Sequence, residues 1–323
     1  MSAEAFLRNL GPDWEHVSGL LRETLSSDVT LLQDVNTGIL SHSGKMLRPA
    51  LTLLLAKACN GGKLNEVSVK YAAAVEILHN ATLLHDDVAD EAATRRGVPT
   101  LMARMGATPA VLVGDFWLAK SISLLLEIDD MKGTIGIFAG TLINLAEGEM
   151  LQQEKSIKGD TTLQDYLRII FCKTASLFRA AGLCGARSVA APEEYCKAAA
   201  GYGEALGMAF QIQDDILDYD GRDTGKPAGI DLQERKITLP LLGALSSSGK
   251  DAQIRQMVRD IPGHPEYCEA VRSFVAANGG VSYAQGILED YVESAVKALE
   301  PLPDSEEKEI LLWLARHSAE REK

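Results

Sequence analysis

The sequence predicts an all-α protein, and three observations carry that reading. Val/Ile/Thr alternation of strand type is almost absent, and aromatic residues make up only 6% of the 323 residues. Ala and Leu dominate instead, in stretches such as YAAAVEILHNATLLHDD and GYGEALGMAFQIQDDILDY. Apolar residues there recur at three- and four-residue spacing, the period of a helix. Proline is missing between Pro49 and Pro99, between Pro109 and Pro192, and between Pro192 and Pro227. An internal proline costs a helix about 3 kcal/mol, so long helices can run through these windows.

In chain order the pattern predicts helices near 3–10, 13–34, 48–60, 66–90, 107–128, 131–154 and 161–185. Further helices follow near 192–220, 236–247, 250–260, 265–278, 281–298 and 304–319. Asn60-Gly61-Gly62 ends one helix and Arg96-Gly97-Val98-Pro99 ends another. Segment 220–235, DGRDTGKPAGIDLQER, is polar and Gly-rich and reads as a long functional loop. Segment 299–306, LEPLPDSE, is a second, shorter loop. No repeat, low-complexity block or linker divides the chain. The expectation is one domain over 1–323, with helices apolar on several faces packed as a bundle.

Composition narrows the function. Asp and Glu number 45 against 32 Lys and Arg, a formal net charge of −13. Nucleic acid is a poor partner for such a chain, because binding it needs a basic footprint. The balance of 46% hydrophobic and 24% charged residues is that of a globular protein. No apolar run reaches the roughly 18 residues of a membrane span, and the longest stretches are broken by Lys, Glu or Gly. The N-terminus, MSAEAFLRNLGPDWEH, lacks a basic region followed by an apolar block. A cytoplasmic protein without a transmembrane segment is expected. The five cysteines are odd in number and form no CxxC, so buried free thiols are expected rather than disulfides or a Cys-based zinc site.

Two acidic clusters share one form: Asp86-Asp87-Val88-Ala89-Asp90 and Asp214-Asp215-Ile216-Leu217-Asp218. On a helix, positions i and i+4 lie one turn apart on the same face, so Asp86 stacks with Asp90 and Asp214 with Asp218. Asp87 and Asp215 sit alongside. Like charges at this spacing repel, and the macrodipole disfavours anions near a helix C-terminus. Bound cations remove both costs. Hard oxygen ligands with no neighbouring Cys suit Mg²⁺, which bridges carboxylates to a substrate phosphate. One DDxxD alone reads as a solvated acidic patch. Two of them, each ending an apolar helix, read as a metal site.

Basic residues accompany the clusters: Arg95 and Arg96 in TRRGVPT, Lys45 and Arg48 in GKMLRP, Lys173 beside Thr174, and Lys226 and Lys236 around the Gly-rich loop. In an acidic chain this suggests metal on the carboxylates and phosphate on the cations. His79 lies seven residues before Asp86, on nearly the same helix face, and Gln211 lies four and seven residues before Asp215 and Asp218.

At this point the chain resembles the all-trans isoprenyl diphosphate synthases of the polyprenyl synthetase family, the longer-chain members in particular. The matching elements run from Gly44 to about Pro240: GKMLRP, EILHNATLLHDDVAD, TRRGVPT, EGEMLQ, KTASL, FQIQDDILD and GKPAGIDLQERKITLP. The resemblance implies a helical bundle of isoprenoid synthase type around a central cavity. It implies condensation of isopentenyl diphosphate with an allylic diphosphate, Mg²⁺-dependent with three ions per active site, and a homodimer. Asp86, Asp87, Asp90, Asp214, Asp215 and Asp218 would hold the metal. Arg95, Lys173, Thr174, Gln211, Lys226 and Lys236 would contact the allylic diphosphate, Arg95 and Lys173 counting as catalytic. Lys45, Arg48, His79 and Arg96 would bind isopentenyl diphosphate, and Gln152 would lie in the cavity. Arg321 and Lys323 are further candidate partners for a diphosphate, and helices 107–128 and 131–154 for the dimer interface.

The chemistry agrees with this implication. An allylic C–O bond breaks heterolytically only if charge on the departing diphosphate is neutralised. The carbocation is then attacked by the second substrate's double bond and a proton is lost, with the released diphosphate as the base. Family members making short products often carry an aromatic residue four or five positions before the first motif. Ala81 and Thr82 stand there, both small, so a product longer than C15 and in the range C30–C45 is expected, unless Phe138 or Leu142 closes the tunnel earlier. A terpene cyclase would have little use for Lys45, Arg48 and Arg96, and a non-catalytic subunit would be expected to have lost motif residues.

Overall fold

The computed structural model describes residues 10–42, 44, 46–95, 97–128, 131–219 and 229–318, with 131 and 132 as backbone only. The only strands among them are Thr94–Arg95 and Val98–Pro99, a two-rung antiparallel hairpin pairing Thr94 with Pro99 and Arg95 with Val98. The rest of the regular structure is helical. The residues group into two compact units, one drawn from Met1–Ala139, Ala180–Ala199 and Leu302–Ile310, the other from Gly140–Arg179, Ala200–Pro301 and Leu311–Lys323.

In the first unit the central element is the helix Glu66–Ala89, which packs against Gly11–Thr24, Leu47–Cys59 and Ala107–Leu126. Residues Tyr71 to Leu78 are buried without a gap. Buried on every side, this stretch is a core helix rather than an amphipathic surface one. Its start is fixed by a capping box between Asn65 and Ser68. Asn65 also donates to the Ser188 carbonyl at 2.7 Å, and the Ser68 and Ser188 hydroxyls pair at 2.7 Å. Close packing continues along that neighbour. A Cβ at Gly185 would stand 2.4 Å from the Thr52 carbonyl oxygen, and one at Gly182 would stand 2.3 Å from that of Ala199. Only glycine allows these backbones to approach so closely. Trp117 is fully buried and donates to Asn36 at 2.8 Å, while Asn36 donates to the Leu25 carbonyl at 2.7 Å.

In the second unit, Tyr166, Met208, Ile212, Ile216, Leu239, Val258, Val271 and Leu288 belong to one core cluster. They come from the helices Leu163–Ile170, Glu193–Tyr219, Leu239–Ser248, Asp251–Asp260, Tyr267–Ala277 and Gly280–Ala298. Leu163–Ile170 opens with a second capping box, between Thr162 and Asp165. It runs into a π-helical turn, Phe171–Ala175, before the helix Ser176–Ser188.

The all-α reading holds, with local differences. The helix expected over 13–34 is two, Gly11–Thr24 and Thr30–Ser41. Polar side chains close the break: Ser27 Oγ accepts from the Val29 amide at 3.2 Å, and Gln33 Oε1 from the Ser27 amide at 2.9 Å. Serines compete for backbone groups in this way, which favours caps over helix interiors. The helix expected from 236 begins at Leu239, behind the extended Thr238. The short helix Leu101–Met105 and the hairpin escaped the periodicity because each is too short to show a period. The helix expected over 3–10 falls almost wholly outside the described residues.

The expectation on apolar length also changes. Ala107–Leu126 and Leu163–Ser188 are long and apolar enough to cross a membrane by length and composition, with mean hydropathy 1.5 and 1.3. Asp115 and Lys120 interrupt the first and hid it from a search for unbroken runs. The second is 78% buried, as a core helix is. All five cysteines are free. Burial pushes the Cys184 thiol up to about 12, and Cys59 likewise to about 12. Neither is a ready nucleophile at neutral pH.

Candidate active site

The first motif closes the helix Glu66–Ala89. The Asp90 amide donates to the Asp86 carbonyl at 2.8 Å and the Ala92 amide to that of Asp87 at 2.9 Å. Glu91 takes a left-handed conformation, φ 49°, which turns the chain into the hairpin. Asp86 is half-buried, Asp87 buried and Asp90 exposed. The hairpin brings Arg95 back, and its Nε donates to Asp87 Oδ1 at 2.6 Å. Arg95 was expected at a diphosphate, and here it also neutralises the buried member of the motif.

About two turns below, Arg48 Nη1 and His79 Nε2 lie 3.0 Å apart. The structure thus joins two residues expected at isopentenyl diphosphate. Between Gly44 and Arg48, Met46 holds a left-handed backbone, φ 48°. A non-glycine residue in that region is strained, and such strain concentrates at functional loops. Lys45 and Arg96 lie outside the described residues. Ala81 is buried, and the half-buried Thr82 donates to the His79 carbonyl at 2.8 Å. A cavity of about 400 Å³ beside the motif is lined by Asn80, Leu83, Leu84, Asp87, Arg95 and Ile39, among others. It follows the Asn80–Asp87 stripe of the helix rather than the stripe carrying Ala81 and Thr82.

The second motif repeats the pattern on Glu193–Tyr219. Asp214 is exposed, Asp215 buried and Asp218 half-buried. Asp215 accepts from the Tyr166 hydroxyl at 2.7 Å and from Gln211 Nε2 at 2.9 Å. Gln211 Oε1 in turn accepts from the Thr174 hydroxyl at 2.7 Å. A chain Thr174–Gln211–Asp215–Tyr166 therefore joins three expected residues to one that was not foreseen. Thr174 and Lys173 stand on the π-helical turn, a feature frequent at functional sites. Lys173 forms an ion pair with Glu149. Gln152 is half-buried on the helix Met131–Lys158.

Burial raises the Asp215 carboxyl well above its usual range, and Asp231 and Asp214 push it the same way, while the Tyr166 and Gln211 bonds oppose. Burial also raises Asp231, to about 6, with Asp218 and Asp214 adding to it and Lys236 opposing. Tyr166 is held protonated by burial and by Asp215. Lys236 pairs with Glu234. Lys226, Arg321 and Lys323 lie outside the described residues.

Sequence reading missed Tyr166, Glu149 and Asp231. Tyr166 stands two helical turns before Thr174, Glu149 lies within EGEMLQ, and Asp231 lies within GKPAGIDLQERK. Each sat inside or one step from an element already singled out. Among the described residues, no group of three or more His, Cys, Asp or Glu side chains is arranged as a ready metal cage. The donor chemistry nonetheless fits a hard cation. Hard carboxylate oxygens prevail, and Asp214 raises the proton affinity of both Asp215 and Asp231, a repulsion that a divalent ion relieves.

A sequence model of the polyprenyl synthetase family matches residues 29–275. The octaprenyl diphosphate synthase of Escherichia coli K12 is 36% identical over 327 aligned positions, covering 100% of both chains. The solved structure of a decaprenyl diphosphate synthase from Rhodobacter capsulatus superposes with a TM-score of 0.92 at 36% identity, over 100% of both chains. That of a polyprenyl synthase from Caulobacter crescentus CB15, complexed with calcium and isoprenyl diphosphate, gives a TM-score of 0.90 at 35% identity, over 100% of this chain and 98% of the other. The chain belongs to the polyprenyl synthetase family. It is a prenyltransferase with the all-α isoprenoid synthase fold.

Proposed function

We propose that this prenyltransferase extends an allylic diphosphate with isopentenyl diphosphate to a linear all-trans product of C30–C45, using Mg²⁺ at its two aspartate motifs. The observation that carries the reading is the shared build of the motifs. Each ends a long helix, and each pins its second aspartate on protein donors, Asp87 on Arg95 and Asp215 on Tyr166 and Gln211. The first carboxylate of each is left more accessible than the second. Asp86, Asp87, Asp90, Asp214 and Asp215 form the metal-binding set, for three ions per site, and Asp218 completes the second motif beside them. Bound Mg²⁺ supplies Lewis-acid neutralisation of the departing diphosphate.

Arg95, Lys173, Thr174, Gln211, Lys226 and Lys236 clamp the allylic diphosphate. Lys45, Arg48, His79 and Arg96 hold that of isopentenyl diphosphate, with Arg48 and His79 already oriented toward one another. The clamp orients the two reacting carbons and places positive charge where the leaving group develops negative charge. Apolar helix faces exclude water that would quench the cation.

Product length rests on Ala81 and Thr82 being small and on relatives named for octaprenyl and nonaprenyl products, while the decaprenyl synthase lies one isoprene unit beyond the range. The whole chain acts as one catalytic domain. It works as a homodimer, a reading supported by exposed Leu112, Ile122 and Leu126 on Ala107–Leu126. Its free thiols suit the reducing cytoplasm. Chromatography of products from farnesyl and isopentenyl diphosphates tests the proposal. C30–C45 products that require Mg²⁺ support it, and products stopping at C20 refute the length. Thr82→Phe should shorten the product. Thr82 is the better site for this than Ala81, because Phe forced into the fully packed Ala81 position costs about 1–3 kcal/mol of strain.

A further inference from the structure

Asp218 is held by the backbone, whereas Asp87 and Asp215 are held by side chains. Its carboxylate accepts three consecutive backbone amides: Gly229 and Ile230 on Oδ1 at 3.1 and 3.2 Å, and Asp231 on Oδ2 at 3.2 Å. Gly229 turns the chain there with a left-handed backbone, φ 83°. The bond network continues beyond the turn. The Asp231 carbonyl accepts the Lys236 amide at 2.7 Å, across a second left-handed residue, Arg235 at φ 57°. One carboxylate thus holds Gly229, Ile230 and Asp231 beside the end of the helix Glu193–Tyr219, and the bonds that follow fix where Lys236 leaves the backbone. A carboxylate with both oxygens aimed at backbone amides has fewer lone pairs to offer a cation.

We propose that Asp218 is a positioning residue: it anchors the Gly229–Asp231 turn and, through it, Lys236, while Asp214 meets the metal. This deepens the metal-site reading above and rests on it. The role sets Asp218 apart from Asp214, its partner one helical turn earlier, which the motif alone treats as equivalent.

The test uses the full-length enzyme and three variants: Asp214→Ala, Asp218→Ala and Asp218→Asn. Hydrogen exchange is followed in the peptide covering Gly229–Gln233, alongside Mg²⁺ activation curves and KM for farnesyl diphosphate. Loss of one or two charge-assisted bonds should speed exchange of these amides about 10- to 100-fold in Asp218→Ala. In Asp214→Ala exchange should stay as in the wild type. Asp218→Asn keeps an oxygen for Gly229 and Ile230. It should therefore retain most of the protection and a half-saturating Mg²⁺ concentration within about twofold of wild type. KM for farnesyl diphosphate should rise in Asp218→Ala, and Asp218→Asn should restore most of it. Wild-type exchange in Asp218→Ala overturns the proposal. So does a shift in Mg²⁺ dependence in Asp218→Asn as large as that in Asp214→Ala. Unchanged turnover and Mg²⁺ dependence in Asp214→Ala would instead sink the metal-site reading, whatever the exchange data show.

Discussion

Replacing Tyr166 by Phe removes one hydroxyl from the core of the second unit and tests how the second motif is held. Tyr166 is 3% exposed, and its hydroxyl is one of two side-chain donors on the buried Asp215. Phe occupies nearly the same volume, so no cavity opens and the fold should survive. A hydrogen bond to a charged acceptor is worth about 1.5–3 kcal/mol. The upper end applies if Asp215 is left with Gln211 alone in a dry site. If the bond's whole worth is felt in the transition state, turnover falls about 10- to 150-fold, since about 1.36 kcal/mol is a factor of ten. If part is felt in folding, the same energy appears as a lower unfolding midpoint. The assay is initial-rate diphosphate release in saturating Mg²⁺, paired with denaturant unfolding. A double-mutant cycle with Asp215→Asn apportions the energy, because contacting residues couple by about 0.5–3 kcal/mol. Wild-type turnover and midpoint together, or additive effects in the cycle, would refute the claim that Tyr166 orients Asp215.

Three further outcomes follow from the packing. Asn36→Ala strands the Trp117 indole N–H and the Leu25 carbonyl, both buried, and should destabilise the protein by about 2–6 kcal/mol in denaturant unfolding, at about 1–3 kcal/mol for each orphaned group. Gly185→Ala drives a methyl against the Thr52 carbonyl, a backbone atom that cannot step aside, and should cost at least about 1–3 kcal/mol, or abolish folding. Asp165→Asn weakens the capping box of Leu163–Ile170. Partial burial pushes the Asp165 carboxyl up, but bonds from Thr162 and Lys155 outweigh it and leave the group below its usual 3.8. A depressed carboxylate stabilises the fold above its unfolded-state pKa and loses that contribution as pH falls through the folded value. The variant should therefore be about 0.5–2 kcal/mol less stable than wild type at pH 7. The gap should close as pH falls below the usual carboxylate range and native Asp165 itself protonates. A gap that persists undiminished at low pH would refute the assignment.

Much of the site was legible because helices report themselves by period. Asp86, Asp87 and Asp90 fall on one turn whatever surrounds them, and so do Asp214, Asp215 and Asp218. The same holds for the core status of Tyr71–Leu78, apolar at every position but Glu76. Two features escaped because no helical period links the residues they join. The pairing of Arg95 with Asp87 needs the Glu91 turn and a hairpin of two rungs, too short to leave a pattern. Tyr166 reads as an ordinary aromatic until the fold sets its hydroxyl on a carboxylate 49 residues away.

Sequence alone determined the helical class, the carboxylate motifs and the family, because periodicity and residue chemistry are local properties of the chain. Tertiary structure decided which aspartate of each motif is buried and pinned, and that Asp218 spends its oxygens on backbone amides. Those roles follow from burial and from donors brought in by distant segments, and a string of identical aspartates carries no record of either.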